Sequence, residues 1–371
     1  ALPIFRQHGL SGLLLCSMLA GLILIALGLL KAGRLIQFVP YPVTLGFTAG
    51  IGVVIAGLQL KDALGLTVTG SAAHFPEQMY DLALALPTAH LGDALVAAVT
   101  LGVLIAWPRL VPKVPGHLAA LAVGTLLGLL LELAGLGVAT LGERFSYSLD
   151  GVTHPGIPPY LPGFALPWQL PDAAPLSLAL VRELLAPAMA IAMLGAIESL
   201  LSAVVADGMT GSKHDPNGEL IGQGLGNLIA PLFGGITATA AIARSAASVR
   251  AGAFSPLAAI IHAGVVLAAM LLLAPLFSYL PMAALAALLL MVAWNMAEAP
   301  HVVHTLRIAP RSDVLVLLTC LVLTVAFDMV LAVGAGLLLA AGLFIRQMSA
   351  LTDAAPLPRH FHQALGDLPE H

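Results

Sequence analysis

The chain has 371 residues, 59% of them hydrophobic and only 9% charged, with a formal net charge of −4. A soluble domain carries about 25% charged residues, so this sequence lacks the polar surface to sit in water. No basic tract is present to meet phosphates, which argues against a nucleic-acid partner.

In chain order, uncharged runs cover 11–30, 39–60, 94–108, 118–131, 184–197, 264–297, 314–327 and 329–345. Runs of about 20 apolar residues are long enough to cross a hydrocarbon core as helices. Their continuity speaks against barrel strands, which alternate. An all-α polytopic membrane protein is therefore predicted. Its crossings are read at 11–30, 40–60, 91–108, 115–138, 184–206, 219–234, 257–279, 281–297, 313–329 and 330–346, with 238–250 as a half-helix.

Lys31/Arg34, Arg109/Lys113, Lys213, Arg307/Arg311 and Arg346 fall in alternate connections or at the end. Excess Lys and Arg marks the cytoplasmic side, so the C-terminus is expected in the cytoplasm. The stretch 61–90 mixes Lys61 with Asp62, Glu77, Asp81 and two histidines, and 140–180 is rich in Pro, Gly and aromatics. Cys16 and Cys320 lie within apolar runs and read as small hydrophobes, although spacing leaves a disulfide open. The 12 histidines show no HExxH spacing, and His301 and His304 are placed in a loop beside Pro300. No metal, no cofactor and no enzymatic nucleophile–base pair is expected.

Two segments carry chemistry. Between 184 and 206 the only formal charge is Glu198, with Ser199 beside it and Ser202 one turn on. A carboxyl inside a membrane helix is costly and faces a bundle interior or a wet cavity, where it can take up a proton in one conformation and release it in another. The competing role is a neutral acid hydrogen-bonded across a helix interface. "TATAAIARSAASV", 237–249, follows Gly234–Gly235 and is the natural counterpart. A helix that begins inside the membrane turns unpaired N–H groups and its positive dipole end into the site, and interrupted helices mark substrate sites in many transporters. Thr239, Ala241, Ala243 and Arg244 are the candidate anion-binding residues, and Glu198 with Ser202 the candidate coupling pair. The competing reading of 237–249 is close helix packing, with Arg244 snorkelling. Gln59 and Asn227 are weaker candidates, while Arg311, Asp313 and Asp328 read as helix-end and turn residues.

At these residues the chain resembles the sulfate permease (SulP) family of anion transporters. The likeness begins at "GRLIQFVPYPVTLGFTAGIGVVIAGLQL", 33–60, and is strongest at 194–258, "LGAIESLLSAVVADGMTGSKHDPNGELIGQGLGNLIAPLFGGITATAAIARSAASVRAGAFSPLA". It continues through 280–296 and 311–338. The resemblance implies a UraA-like fold of fourteen segments in two inverted repeats of seven, with a core domain and a gate domain. It assigns 1–32 and 181–279 to the core, 33–140 and 280–346 to the gate, 141–180 to an extracytoplasmic linker and 347–371 to a cytoplasmic tail. It places the anion between the N-termini of two facing half-helices. Ala243 and Arg244 match the second of these, Glu198 matches the acidic position on the eighth segment, and Ser202 matches a hydroxyl of the cation site found in a sodium-coupled relative.

Four elements precede the 140–180 loop and seven follow it, so the first three segments of the family, and the STAS domain after the last, have no counterpart in these residues. Roughly 60–120 further residues, enough for three helices and their loops, are expected ahead of Ala1. The functional expectation is secondary active transport of a small anion (sulfate, bicarbonate or a carboxylate such as fumarate) in a bacterial inner membrane. Proton coupling is favoured, with sodium coupling or an anion channel as alternatives. The partners are the anion, the coupling ion, membrane lipid and, in the full-length protein, a second copy in a homodimer.

Overall fold

The computed structural model describes residues 2–36, 40–68, 70, 74–111, 114–149, 151–171, 173, 175–327 and 329–351. It is built almost wholly of helices. In order these are α1 (Leu2–Leu29), α2 (Gly33–Ile36), α3 (Tyr41–Ala63), α4 (Phe75–Ala85), α5 (Leu91–Leu110), α6 (Gly116–Leu133), α7 (Leu141–Arg144) and α8 (Leu178–Thr210). There follow α9 (Pro216–Ile229), α10 (Ile242–Arg250), α11 (Leu257–Phe277), α12 (Met282–Ala297), α13 (Ala299–Ile308), α14 (Arg311–Ala326) and α15 (Met329–Leu351). Among the described residues 7 helices are long and apolar enough to cross a membrane.

Local chemistry sets the helix ends. The Ser177 hydroxyl caps α8 by accepting from Leu180 N–H at 3.2 Å, and Gly211 closes it in the left-handed region, its N–H donating to Asp207 O at 2.8 Å. Asp215 caps α9, with Pro216 at the first helical position, where the missing N–H costs nothing. Pro40, Pro281 and Pro310 stand just before α3, α12 and α14. Asp313 lies in the first turn of α14, where a carboxylate suits the helix dipole.

The helices pack in two groups. In the first, α1 lies against α8 and α9, and α8 also carries α10; Cys16, Ala20, Leu24, Leu184, Ala188, Leu200 and Leu220 fill its centre. In the second, α3 packs on α12, α14 and α15, and α5 on α6 and α12. Val96, Ala97, Ala283, Ala284 and Ala286 form one of its clusters, and Val43, Val316, Cys320 and Ala340 another. Lipid gives helices no hydrophobic reason to associate, so close van der Waals approach does the work. A Cβ on Gly21 would lie 2.7 Å from Gly224 O, and one on Gly224 would lie 2.7 Å from Gly21 O, so α1 and α9 touch backbone to backbone. Cys16 and Cys320 are both buried and free. In α11 only Ala274 is buried, and the rest of this apolar helix faces outward.

Seven of the ten crossings read from the sequence fall on the 7 spanning helices, while 219–234, 313–329 and 330–346 fall on α9, α14 and α15, which are not among them; three connections carry further elements. The linker carries its own elements: Thr140 and Glu143 form a capping box at α7, and β1 (Ser146–Leu149) pairs antiparallel with β2 (Val152–Pro155). Its first part is stitched to the α11–α12 turn by Leu141 N–H to Leu280 O, Gly142 N–H to Ser278 O and Met282 N–H to Ala139 O, at 2.8–2.9 Å. Its second part docks on the first packing group through Ala165 N–H to Leu232 O, 2.8 Å, and Ser11 Oγ–H to Pro167 O, 2.7 Å. His301 and His304 lie on α13, a short helix started by Pro300, rather than in a loop. The stretch 61–90 contains α4, an 11-residue helix with mixed polar and apolar faces. Lys113, Asp328 and residues 352–371 lie outside the described residues.

Candidate functional site

The site is assembled on α8. This helix of 33 residues is about 50 Å long at 1.5 Å per residue, well beyond the ~30 Å hydrocarbon core. Gly195, Ser199 and Ser202 recur at helical spacing and form one face, with Glu198 at its edge, one turn before Ser202. Ser199 is fully buried and Ser202 nearly so, whereas Glu198 is half-buried. No ion pair or side-chain hydrogen bond is formed by Glu198 among the described residues.

Facing α8 is a break between α9 and α10. The 3-10 turn Ala230–Phe233 ends at Gly234, which adopts φ 77°, and the chain then runs as a strip outside helix and strand to Ala241, itself extended. Two helices hold this strip in place. From α8, Gly195 O accepts the Thr239 hydroxyl at 3.1 Å, Ser199 Oγ lies 3.2 Å from Thr239 Oγ1, and Ala240 N–H donates to Ser199 Oγ at 3.4 Å. From α9, Asn227 donates its amide to Ala238 O at 2.9 Å and accepts Ala238 N–H at 2.8 Å, and Gln223 donates to the same carbonyl.

The half-helix therefore starts later than the sequence reading placed it. It is helical from Ile242, not 238, where Asn227 and Gln223 take up the Ala238 carbonyl that a helix begun there would use. At 9 residues, or about 13 Å, α10 is too short to span. Ala241 is its N-cap and supplies no capping side chain; the first intrahelical bond is Ser245 N–H to Ala241 O, 2.9 Å. The amides of Ile242, Ala243 and Arg244 precede that bond and have no partner inside the helix. Ser202 Oγ–H donates to Ser245 Oγ at 3.0 Å, tying the first turn of α10 to α8.

Of the residues singled out from the sequence, Thr239 thus lies in the strip, Ala241 at the cap, and Ala243 and Arg244 in the first turn. Arg244 is exposed and forms no ion pair among the described residues. Glu198 and Ser202 share one edge of α8 opposite them. Gln59 stands apart on α3, in the other packing group. Asn227 belongs to the site's frame. Gln223, Gly195 O and Ser245 were missed; the one available signal was the spacing of Gln223 and Asn227, one turn apart on the apolar half of α9.

A family model described as the sulfate permease family matches residues 6–343. The chain belongs to that family. The putative sulfate transporter YvdB of Bacillus subtilis is 42% identical over 349 residues, covering 94% of this chain and 62% of the relative. Bicarbonate transporter BicA of a Synechocystis species is 32% identical over 360 residues, covering 94% of this chain and 58% of that one. The permease chain thus spans about 60% of the length of these two curated relatives. The solved transmembrane domain of a cyanobacterial BicA matches with TM-score 0.67 and 28% identity, over 91% of this chain and 78% of that one. Murine solute carrier 26 member A9, in its inward-facing state, matches with TM-score 0.75 over 91% of this chain and 53% of that one. At 19% identity the latter speaks to fold alone. The fold is the UraA-like, multi-pass helical fold of these membrane domains, and the family is one of permeases rather than enzymes.

Proposed function

We propose that the protein is a secondary active transporter of a small anion such as sulfate, bicarbonate or a carboxylate like fumarate, working by alternating access and coupled to protons. The observation that carries this reading is the uncapped first turn of α10, held by hydrogen bonds against the one face of α8 that also bears Glu198. Free amides at a helix start bind anions. Arg244 fits the same chemistry. A cation in the first turn opposes the helix dipole, so its position there makes electrostatic sense when an anion sits beside both. The relatives' names, a sulfate and a bicarbonate transporter, agree with an anionic substrate.

Glu198 supplies the coupling. An anion crossing with a proton carries less net charge, and a half-buried carboxyl with no fixed partner is free to exchange that proton. The two packing groups supply the motion: the first, α1 with α8, α9 and α10, to which α11 is added, acts as the core that carries the site, and α3, α5, α6, α12, α14 and α15 act as the gate.

Uptake by the purified full protein in proteoliposomes tests this, with labelled sulfate, bicarbonate and fumarate as separate probes and proton and sodium gradients imposed one at a time. Saturable uptake of one anion, accelerated by an inward proton gradient, is expected. Acceleration by sodium alone would replace the proton with sodium as the coupling ion. Non-saturating flux insensitive to both gradients would make the protein a channel.

A further inference from the structure

We infer that Asn227 is the positioning residue of the anion site: it sets where the N-terminus of α10 stands, and through that the anion affinity. This rests on the anion-transport reading. Asn227 is 3% exposed, deep in α9. Its amide satisfies both backbone groups of Ala238, at 2.9 and 2.8 Å, as a neighbouring β-strand would. A carboxamide is suited to this because it offers a donor and an acceptor side by side. Gln223, one turn earlier on the same face, adds a second donor to the Ala238 carbonyl.

The placement of the clamp gives it leverage. Ala238 is held by α9, while the next two residues, Thr239 and Ala240, are held by α8. The strip is therefore fixed from both sides just ahead of the helix it delivers. α10 has 9 residues and, beyond this strip, one further hydrogen-bonded tie to α8 among the described residues, between Ser245 and Ser202. α9 is itself a firm anchor, since its Gly224 meets Gly21 of α1 backbone to backbone. A displacement at Ala238 is thus passed to the amides of Ile242–Arg244 rather than absorbed by α9.

The test uses the full protein in lipid nanodiscs and proteoliposomes, with Asn227→Asp (donor lost, acceptor kept), Asn227→Leu (both lost at similar volume) and Gln223→Leu. Hydrogen exchange of the 236–245 segment should quicken at least tenfold in both Asn227 variants and less in Gln223→Leu, with α1 and α3 unchanged. In uptake of labelled sulfate, bicarbonate and fumarate, the Asn227 variants should raise KM for the anion the wild type carries at least fivefold while Vmax stays within twofold. If Asn227→Leu does not accumulate, Asn227→Asp and Gln223→Leu still decide the matter. Unchanged exchange overturns the clamp. Quickened exchange with unchanged KM, or a loss of Vmax alone, overturns its link to affinity. A wild-type protein that takes up none of the three anions defeats the transport reading and the affinity claim with it, and the exchange data then decide the clamp by themselves.

Discussion

At the scale of single residues, Glu198 and Arg244 make separable demands on transport. If Glu198 carries the coupling proton, Glu198→Gln mimics a permanently protonated side chain: it binds anion and loses proton-driven accumulation. Initial uptake at several external pH values, with voltage clamped by potassium and valinomycin, should rise toward acid in the wild type and run flat in the variant. Superimposable profiles would leave Glu198 a structural acid. Arg244 acts by its field, without a fixed partner among the described residues. A charge at a helix terminus is worth about 0.3–1 kcal/mol when exposed, so Arg244→Ala should raise the anion KM by roughly two- to fivefold with insertion and yield unchanged. An unaltered KM would remove Arg244 from the site. Both residues stood out in the sequence because an isolated charge in an apolar run has few explanations. Gln223 and Gly195 did not stand out, because a mid-helix amide and a backbone carbonyl look like many others until the strip 234–241 is folded against them.

Among the elements, glycine placement decides which helices can touch. Gly21→Ala would gain up to about 1 kcal/mol of helix propensity, yet its Cβ would press on the Gly224 carbonyl, and overpacking costs about 1–3 kcal/mol. Neither side can yield, since the facing atoms are backbone. Gly21→Ala should therefore lower the melting temperature in detergent. Gly102→Ala on α5, where no atom lies within 4 Å, should leave it unchanged or raise it. Equal shifts in the two variants would mean that the α1–α9 contact is not tight. The elements themselves were mostly legible, because lipid-spanning helices announce themselves by length and hydropathy alone. The start of α10 was not. Ala, Thr and Ile at 238–242 have no local signal to stop a helix, and what competes with it is the capture of the Ala238 carbonyl by Asn227 and Gln223 of α9. α4, α13 and the hairpin were missed for a different reason: each is shorter and less apolar than a spanning run, and the signals for α4 and α13 are a proline near each start.

For the molecule as a whole, the two halves of the chain are interleaved rather than stacked. α1 completes its packing on α8 and α9, and α3 on α12 and α14, so each packing group draws on residues from both sides of the linker. Between the linker's two docked parts runs 157–163, "IPPYLPG", a stretch outside helix and strand. Chains severed there and co-expressed as separate fragments should reassemble, and a tag on one should retrieve the other from detergent; recovery of each fragment alone would refute the interleaving. The same arrangement bears on how the protein is made. Along α3, Gly46 faces Leu317, Gly50 faces Thr324 and Gly52 faces Ala293, all on helices that leave the ribosome much later. During synthesis α3 therefore waits in the bilayer with its contact face against lipid, and the second packing group closes only when α12 and α14 have been inserted. Its assembly is governed by the slow pairing of distant segments, so a nascent chain stalled before α14 would still leave a cysteine at position 46 open to a membrane-soluble thiol reagent.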